Sequence, residues 1–426
     1  MKRLLPLIFS QPFFVFSAEL PEKVDFNDHV QPILSEYCYH CHGPDSSTRE
    51  PKKAPLRFDR EEFAFELRQN GKPVIVKGDA NASELIQRII DQDDPMPPQD
   101  GTSHKPILTP DKVAILKKWI NQGAEYEEHW AFIKPSQPTI PDRKWGHNEV
   151  DAFIAKKHQG LGLKANTPAS AHRVLRRLTF DITGLPPTTD EVREFEILAA
   201  QDLNTAVKLT TEKLLQTNAY AEHFGRHWLD AVRYGDTHGI HIDNYRSIWP
   251  YRNWVIDAFR ENKSFKDFTI EQIAGDLLPN ASLNQKIATG YGRCMPTTGE
   301  GGAIAEEYNV IYAKDQVETT SAIWLGLTTG CAACHDHKFD PISQADFYAL
   351  TAYFRNTTMG AMDRNSAEHP PNVFAPLNED RARWSNIDTD ITKANDALTA
   401  RRKSQEIRSD FNTWAIKNGT TPLSKK

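Results

Sequence analysis

The chain has 426 residues, 39% hydrophobic and 25% charged, with a formal net charge of −6. That length predicts two or three domains, each large enough to bury a core without covalent staples. The composition is that of a soluble protein, and the mild acidity gives no reason to expect a nucleic-acid partner.

In chain order, the first residues place Lys2 and Arg3 before an apolar run from Leu4 to Phe16 and then small residues, the layout of a secretory signal peptide over 1–18. The run is shorter than the ~20 residues a spanning helix needs, and Gln11 and Pro12 interrupt it. No later stretch is long and apolar enough to span a bilayer. The expectation is therefore an exported chain, periplasmic or at the cell surface, without a transmembrane segment after cleavage.

Residues 19–130 read as one small domain. In "DFNDHVQPILSEYCYHCHG", Asp25 or Asn27 caps a helix carrying Val30, Ile33 and Leu34 at helical spacing. Ser83 is a cap candidate ahead of a stripe of Leu85, Ile86, Ile89 and Ile90. "DDPMPP" is a stiff turn, and Thr109 with Pro110 opens a closing helix bearing Val113, Leu116 and Ile120. Proline-bearing residues 131–148 read as a linker, and 149–360 as a larger helical domain with few strand signals. Residues 361–378 form a loop. Residues 379–426 form a helical tail whose Trp384, Ile387, Ile391, Ala394 and Leu398 could be one half of a helical hairpin or coiled coil. The fold class expected is mainly α.

The chemistry is concentrated in cysteine. Four of the five cysteines form two identical patterns, Cys38/Cys41 and Cys331/Cys334, each followed at once by a histidine, His42 or His335; Cys294 stands alone. C-x-x-C-H is the attachment signature of haem c: two thiols at that spacing add to the haem vinyl groups, and the next residue presents an imidazole to the iron. A sixth ligand is then wanted about a domain's length away, in a rigid loop before a last helix. Met96 in "DPMPP" meets that description. Zinc and a Cys38–Cys41 disulfide are the alternatives, but a structural zinc site wants four ligands, and a disulfide explains neither His42 nor Met96. For the second motif, His337 and Asp336 widen the choice to another metal. Candidates there for a sixth iron ligand are His227, His238, His241 and Met295.

"FNDHVQPILSEYCYHCHG", "LRFDREE", "DPMPP" and "LTPDKVAILKKWINQGA" resemble the planctomycete-type cytochrome c domain of large exported proteins, over roughly residues 25–125. The resemblance implies a small class-I-like cytochrome fold with covalent haem ligated by His42 and Met96, and His40 pointing outward. "RVLRRLTFDITGLPPT", "HWLDAVRYGDTHG", "IWPYRNWVIDAF" and "WLGLTTGCAACHDHKFDPI" resemble the domain of unknown function that commonly follows that module, over about 147–356. The chain is short relative to that family, where a further domain often follows.

Elsewhere ordinary structural roles come first. His223 and His227 lack the glutamate of H-E-x-x-H. Trp228, Trp249, Trp254 and Trp324 are core candidates, and Cys294 is expected to be buried. The cluster Asp236, His238, His241 and Asp243 can form a site. The reading is an exported electron carrier with haem c at the first motif and a second haem at the other, working with redox partner proteins that the sequence does not name. The rivals are a scaffold or binding protein for a polysaccharide or other exported polymer with a single haem, and a haem-dependent oxidoreductase.

Overall fold

The computed structural model of the chain describes residues 20–53, 55–99, 105–142 and 145–419, so the expected signal peptide lies outside the described residues. The protein is mainly helical, as expected, and the described residues contain no β-strand beyond isolated bridges. They divide into two compact units, Met1–Ser247 with Cys294–His369, and Ile248–Arg293 with Pro370–Lys426.

The first unit opens with Asp25, whose carboxylate accepts the Asp28 N–H at 2.9 Å and starts a π-turn that runs into α1 (Gln31–Tyr37). Val30, Ile33 and Leu34 are buried as their spacing predicts. There follow α2 (Tyr39–His42), α3 (Glu61–Ala64), α4 (Glu84–Ile90) and α5 (Pro110–Asn121). Their side chains share one core, in which the rings of Phe26, Trp119 and Tyr126 lie 4.4–5.8 Å apart between centroids. Two local expectations differ. Ser83 precedes α4 but makes no cap; its hydroxyl donates to the Asp79 carbonyl at 2.7 Å and accepts the Val76 N–H at 2.9 Å, closing the preceding loop instead. Ile90 is 53% exposed, because α4 ends there and Asp91 turns the chain away.

The larger segment begins with α6 (Glu149–Gly160), opened by a reciprocal Asn148–Asp151 capping box. Next come α7 (Ala171–Thr183), α8 (Thr189–Gln201), α9 (Leu203–Leu215) and α10 (Asn218–Ala231). Leu175, Phe195 and Ala206 join α7, α8 and α9 in one small core. Gly184 ends α7 at φ +71, and a Cβ there would lie 2.5 Å from His223 Nδ1, so the "GLPPT" break needs its glycine on both counts.

The second unit takes up α11 (Trp249–Arg260), α12 (Phe265–Ala274) and α13 (Leu283–Ala288). Trp254 stacks on Phe268 at 5.3 Å, and the buried Tyr251 hydroxyl donates to Gln272 at 2.6 Å. The chain then supplies α14 (Ala305–Thr320) and α15 (Gln344–Arg355), which pack together in the first unit. Finally α16 (Arg381–Ser385), α17 (Ile387–Lys403) and α18 (Gln405–Lys417) belong to the second unit, where Arg381 donates to Asn284 at 2.8 Å. α17 buries no residue among those described, and its stripe of Ile391 and Leu398 stays about half exposed.

Candidate haem-attachment sites

The first motif is built on one helical turn. Cys38 ends α1, and its carbonyl accepts the N–H of Cys41 at 3.2 Å and of His42 at 2.8 Å, which places both thiols on one side of the turn. The carbonyls from Cys41 to Pro44 are all engaged. Cys41 O accepts from Glu50 N and His42 O from Phe58 N, both at 2.8 Å, while the Arg49 guanidinium donates to Gly43 O at 2.9 Å and to Pro44 O. Gly43 is required for close approach, since a Cβ there would stand 2.3 Å from the Tyr39 carbonyl. Tyr39 is buried and His40 exposed, so the two residues between the cysteines face opposite ways, His40 outward as the resemblance implies.

The His42 ring packs edge-on to Phe58 with centroids 5.6 Å apart. Desolvation holds its pKa below the ordinary histidine value, against the pull of the Glu50 and Leu56 carbonyls, and Nδ1 is buried without a hydrogen-bond partner. A neutral, half-buried imidazole with an unmet nitrogen is a recurrent mark of a cofactor ligand. Burial, with the neighbouring Cys41, pushes the Cys38 thiol up to about 12, and Cys41 is raised as well. The two thiols are not joined to each other.

Met96 stands on an anchored loop. The Asp91 carboxylate accepts the N–H groups of Asp93 and Asp94 at 2.8 and 2.9 Å, Arg88 pairs with Asp94 at 2.5 Å, and the Met96 N–H donates to the Arg88 carbonyl at 2.8 Å. The side chain is half-buried beside a buried Pro97.

The second motif repeats the turn. The Cys331 carbonyl accepts from Cys334 N at 3.2 Å and from His335 N at 3.4 Å. Its spacer residues are small for a reason: Ala332 and Ala333 face inward into a core with Val317, Leu327, Ile342 and Phe347, leaving Cys331, Cys334 and His335 exposed. Tyr348 OH donates to Ala333 O at 2.9 Å, and the Gln344 backbone N–H donates to the Asp336 carboxylate at 2.9 Å, so α15 fixes both flanks. His335 Nδ1 lies 2.9 Å from the Asp336 carbonyl. A carbonyl only accepts, so Nδ1 carries the proton and Nε2 keeps the lone pair that a metal needs. His337 is arranged the other way. Its Nδ1 accepts the Asp340 N–H at 2.9 Å, which puts its proton on Nε2. Among the described residues no three His, Cys, Asp or Glu side chains are grouped to hold a metal ion.

Of the sixth-ligand candidates, Met295 is buried in a cluster with Tyr312 and Ala361. His238 is fully buried with Nδ1 2.6 Å from Thr297 Oγ1 and Nε2 2.8 Å from the Ser366 carbonyl; Thr297 in turn donates to Asp363 at 2.9 Å. Both are committed elsewhere, and the His238 loop is a buried pin joining three chain segments instead of an open site. His227 pairs with His223 on α10, and His241 is an exposed loop residue with φ +60.

What sequence patterns did not reveal is the neighbourhood of the two motifs. Tyr39 and Pro44 of the first, and Asp336 and His337 of the second, line one cleft of about 100 Å³. Asp45 is held below the usual carboxylate range: partial desolvation opposes this, the hydroxyl and N–H of Ser47 outweigh it, and His335 adds to the lowering. Arg57, paired with Asp59, also feels Asp336. Ala131, just past the first segment, packs against the core beneath Ala332 and Ala333. His129 and Asp340 close the contact at 3.2 Å. No periodicity or spacing rule could have found them.

No curated protein and no solved structure matches the chain. Residues 149–359 match the family model described as Protein of unknown function (DUF1549), and residues 38–100 the one described as Planctomycete cytochrome C. The chain therefore carries a planctomycete cytochrome c module, whose cofactor is haem c, followed by a DUF1549 module.

Proposed function

We propose that the protein is an exported electron carrier with two covalently attached haems, one at each C-x-x-C-H motif. The observation that most supports two sites acting together is the shared cleft, since Pro44 is two residues past His42 and Asp336 adjoins His335. Haem, when bound, supplies reversible one-electron exchange. Cys38, Cys41, Cys331 and Cys334 would attach it, His42 would present its imidazole, and His335 its Nε2. Desolvation keeps the His42 ring neutral and so available as a ligand; the Asp336 carbonyl fixes the required tautomer of His335. Met96, on its anchored loop, would supply the thioether that raises the potential of the first site. Tyr39 and Phe58, both buried, exclude water from that site. Export is supported by the Lys2/Arg3 start and the apolar run behind it; among the described residues no helix is long and apolar enough to cross a membrane.

A pyridine haemochrome assay on protein secreted by a host competent in haem attachment counts the sites. Two haems are expected; one would remove the second motif from the reading, and none would sink it. Met96→Ala should abolish the weak iron–sulfur absorption at the red edge of the ferric spectrum while leaving the count unchanged.

A further inference from the structure

We infer that Asp340 is a positioning residue that clamps the second motif onto the cytochrome module and so sets the spacing and mutual orientation of the two attached haems. The inference rests on the two-haem reading above. His129 Nδ1 accepts the Ala131 N–H, which leaves the ring proton on Nε2, 3.2 Å from Asp340 Oδ1. Asp340 therefore accepts from a histidine at the end of the first domain. On the other side, the Asp340 backbone N–H donates to His337 Nδ1 at 2.9 Å, and the His337 N–H donates to the Ile342 carbonyl at 2.9 Å, fixing the turn that begins at His335. The histidine side chains are about 6% exposed and that of Asp340 is 20% exposed, so the contact is largely shielded from solvent and less screened than a surface pair. Ala131, partly buried, packs against the core that holds Ala332 and Ala333, so an apolar contact lies beside the polar one. Without the carboxylate, His129 loses its acceptor and this polar tie between the two segments is gone.

The test uses the full-length holoprotein and Soret-region circular dichroism, in which two nearby haems give a bisignate couplet. The wild type should show the couplet. Asp340→Ala should lose it with the haem count still two, whereas Asp340→Asn, whose amide oxygen still accepts from His129, should keep it. His129→Ala breaks the same contact from the other side and serves if Asp340→Ala does not fold. An unchanged couplet in a two-haem Asp340→Ala or His129→Ala protein overturns the inference. Amide exchange in the full-length holoprotein, at whatever haem count it carries, separates the two ideas: faster exchange at Ala131 in Asp340→Ala supports the clamp even if the wild type proves to hold one haem, a count that would defeat the two-haem reading alone, and unchanged exchange overturns the clamp.

Discussion

Phe58 offers a direct measure of how the first site is held. Its side chain is 1% exposed and meets the His42 ring edge-on at 5.6 Å. Its backbone N–H donates to the His42 carbonyl at 2.8 Å, and its carbonyl accepts from the hydroxyl of Tyr126 at 3.1 Å. Phe58→Ala removes the ring but leaves both backbone contacts available, so the loss is one of packing. Truncating a fully buried phenylalanine costs about 3–5 kcal/mol, the lost transfer energy plus that of an incompletely collapsed cavity. Phe58→Leu keeps most of the volume and should cost less than about 1.5 kcal/mol. Against a typical domain stability of about 5–15 kcal/mol, the alanine variant should move the urea midpoint of the cytochrome segment far more than the leucine variant does. Urea titration of the full-length protein, followed by hydrogen-exchange protection of the α5 amides, reads this out. A loss under about 1 kcal/mol for Phe58→Ala would refute the claim that this ring fills the core beside His42.

The other predictions follow from the buried pin and from the thiols. His238→Ala removes both ring contacts and leaves the Ser366 carbonyl and Thr297 hydroxyl without their buried partner, so thermal unfolding should report a loss of about 1–3 kcal/mol; a change within experimental error would mean the pin is dispensable. In haem-free protein near pH 8, iodoacetamide should label the exposed Cys331 and Cys334 first. Burial pushes the thiol of Cys294 up to about 12 against the pull of Arg246, so it stays protonated in the folded chain and should react only on unfolding. Early labelling of Cys294, mapped by peptide mass, would contradict its buried environment.

The helices were legible because their signals are local. Asp25 caps the first helical turn and Pro110 opens α5, both where the local residues place them. Val30, Ile33 and Leu34 announce a buried face through their period alone. Ser83 misled because a hydroxyl oxygen before a helix has competing donors, and the Val76 N–H took it. Both attachment triplets were also readable, since C-x-x-C-H is itself a spacing rule. The meeting of Pro44 with Asp336, and of His129 with Asp340, was not. Those partners are separated by some two to three hundred residues, and such contacts leave no local periodicity. His238 misled for the same reason: its loop is rich in titratable groups, but Thr297 and Ser366 arrive from distant segments and close it off.

The division of the chain bears on the order in which the protein can be assembled. Each compact unit is made of two stretches with part of the other between them, so neither can be complete until late residues have been synthesised. α11 to α13 wait for residues beyond Pro370, and α14 and α15 must rejoin helices made well before them. The exception is the core running from Val24 to Ala124, which is contiguous in sequence and can collapse while the rest is still emerging. The two attachment motifs thus reach their final surroundings at different times, the first in an early, self-sufficient nucleus and the second only when the long-range closures are made.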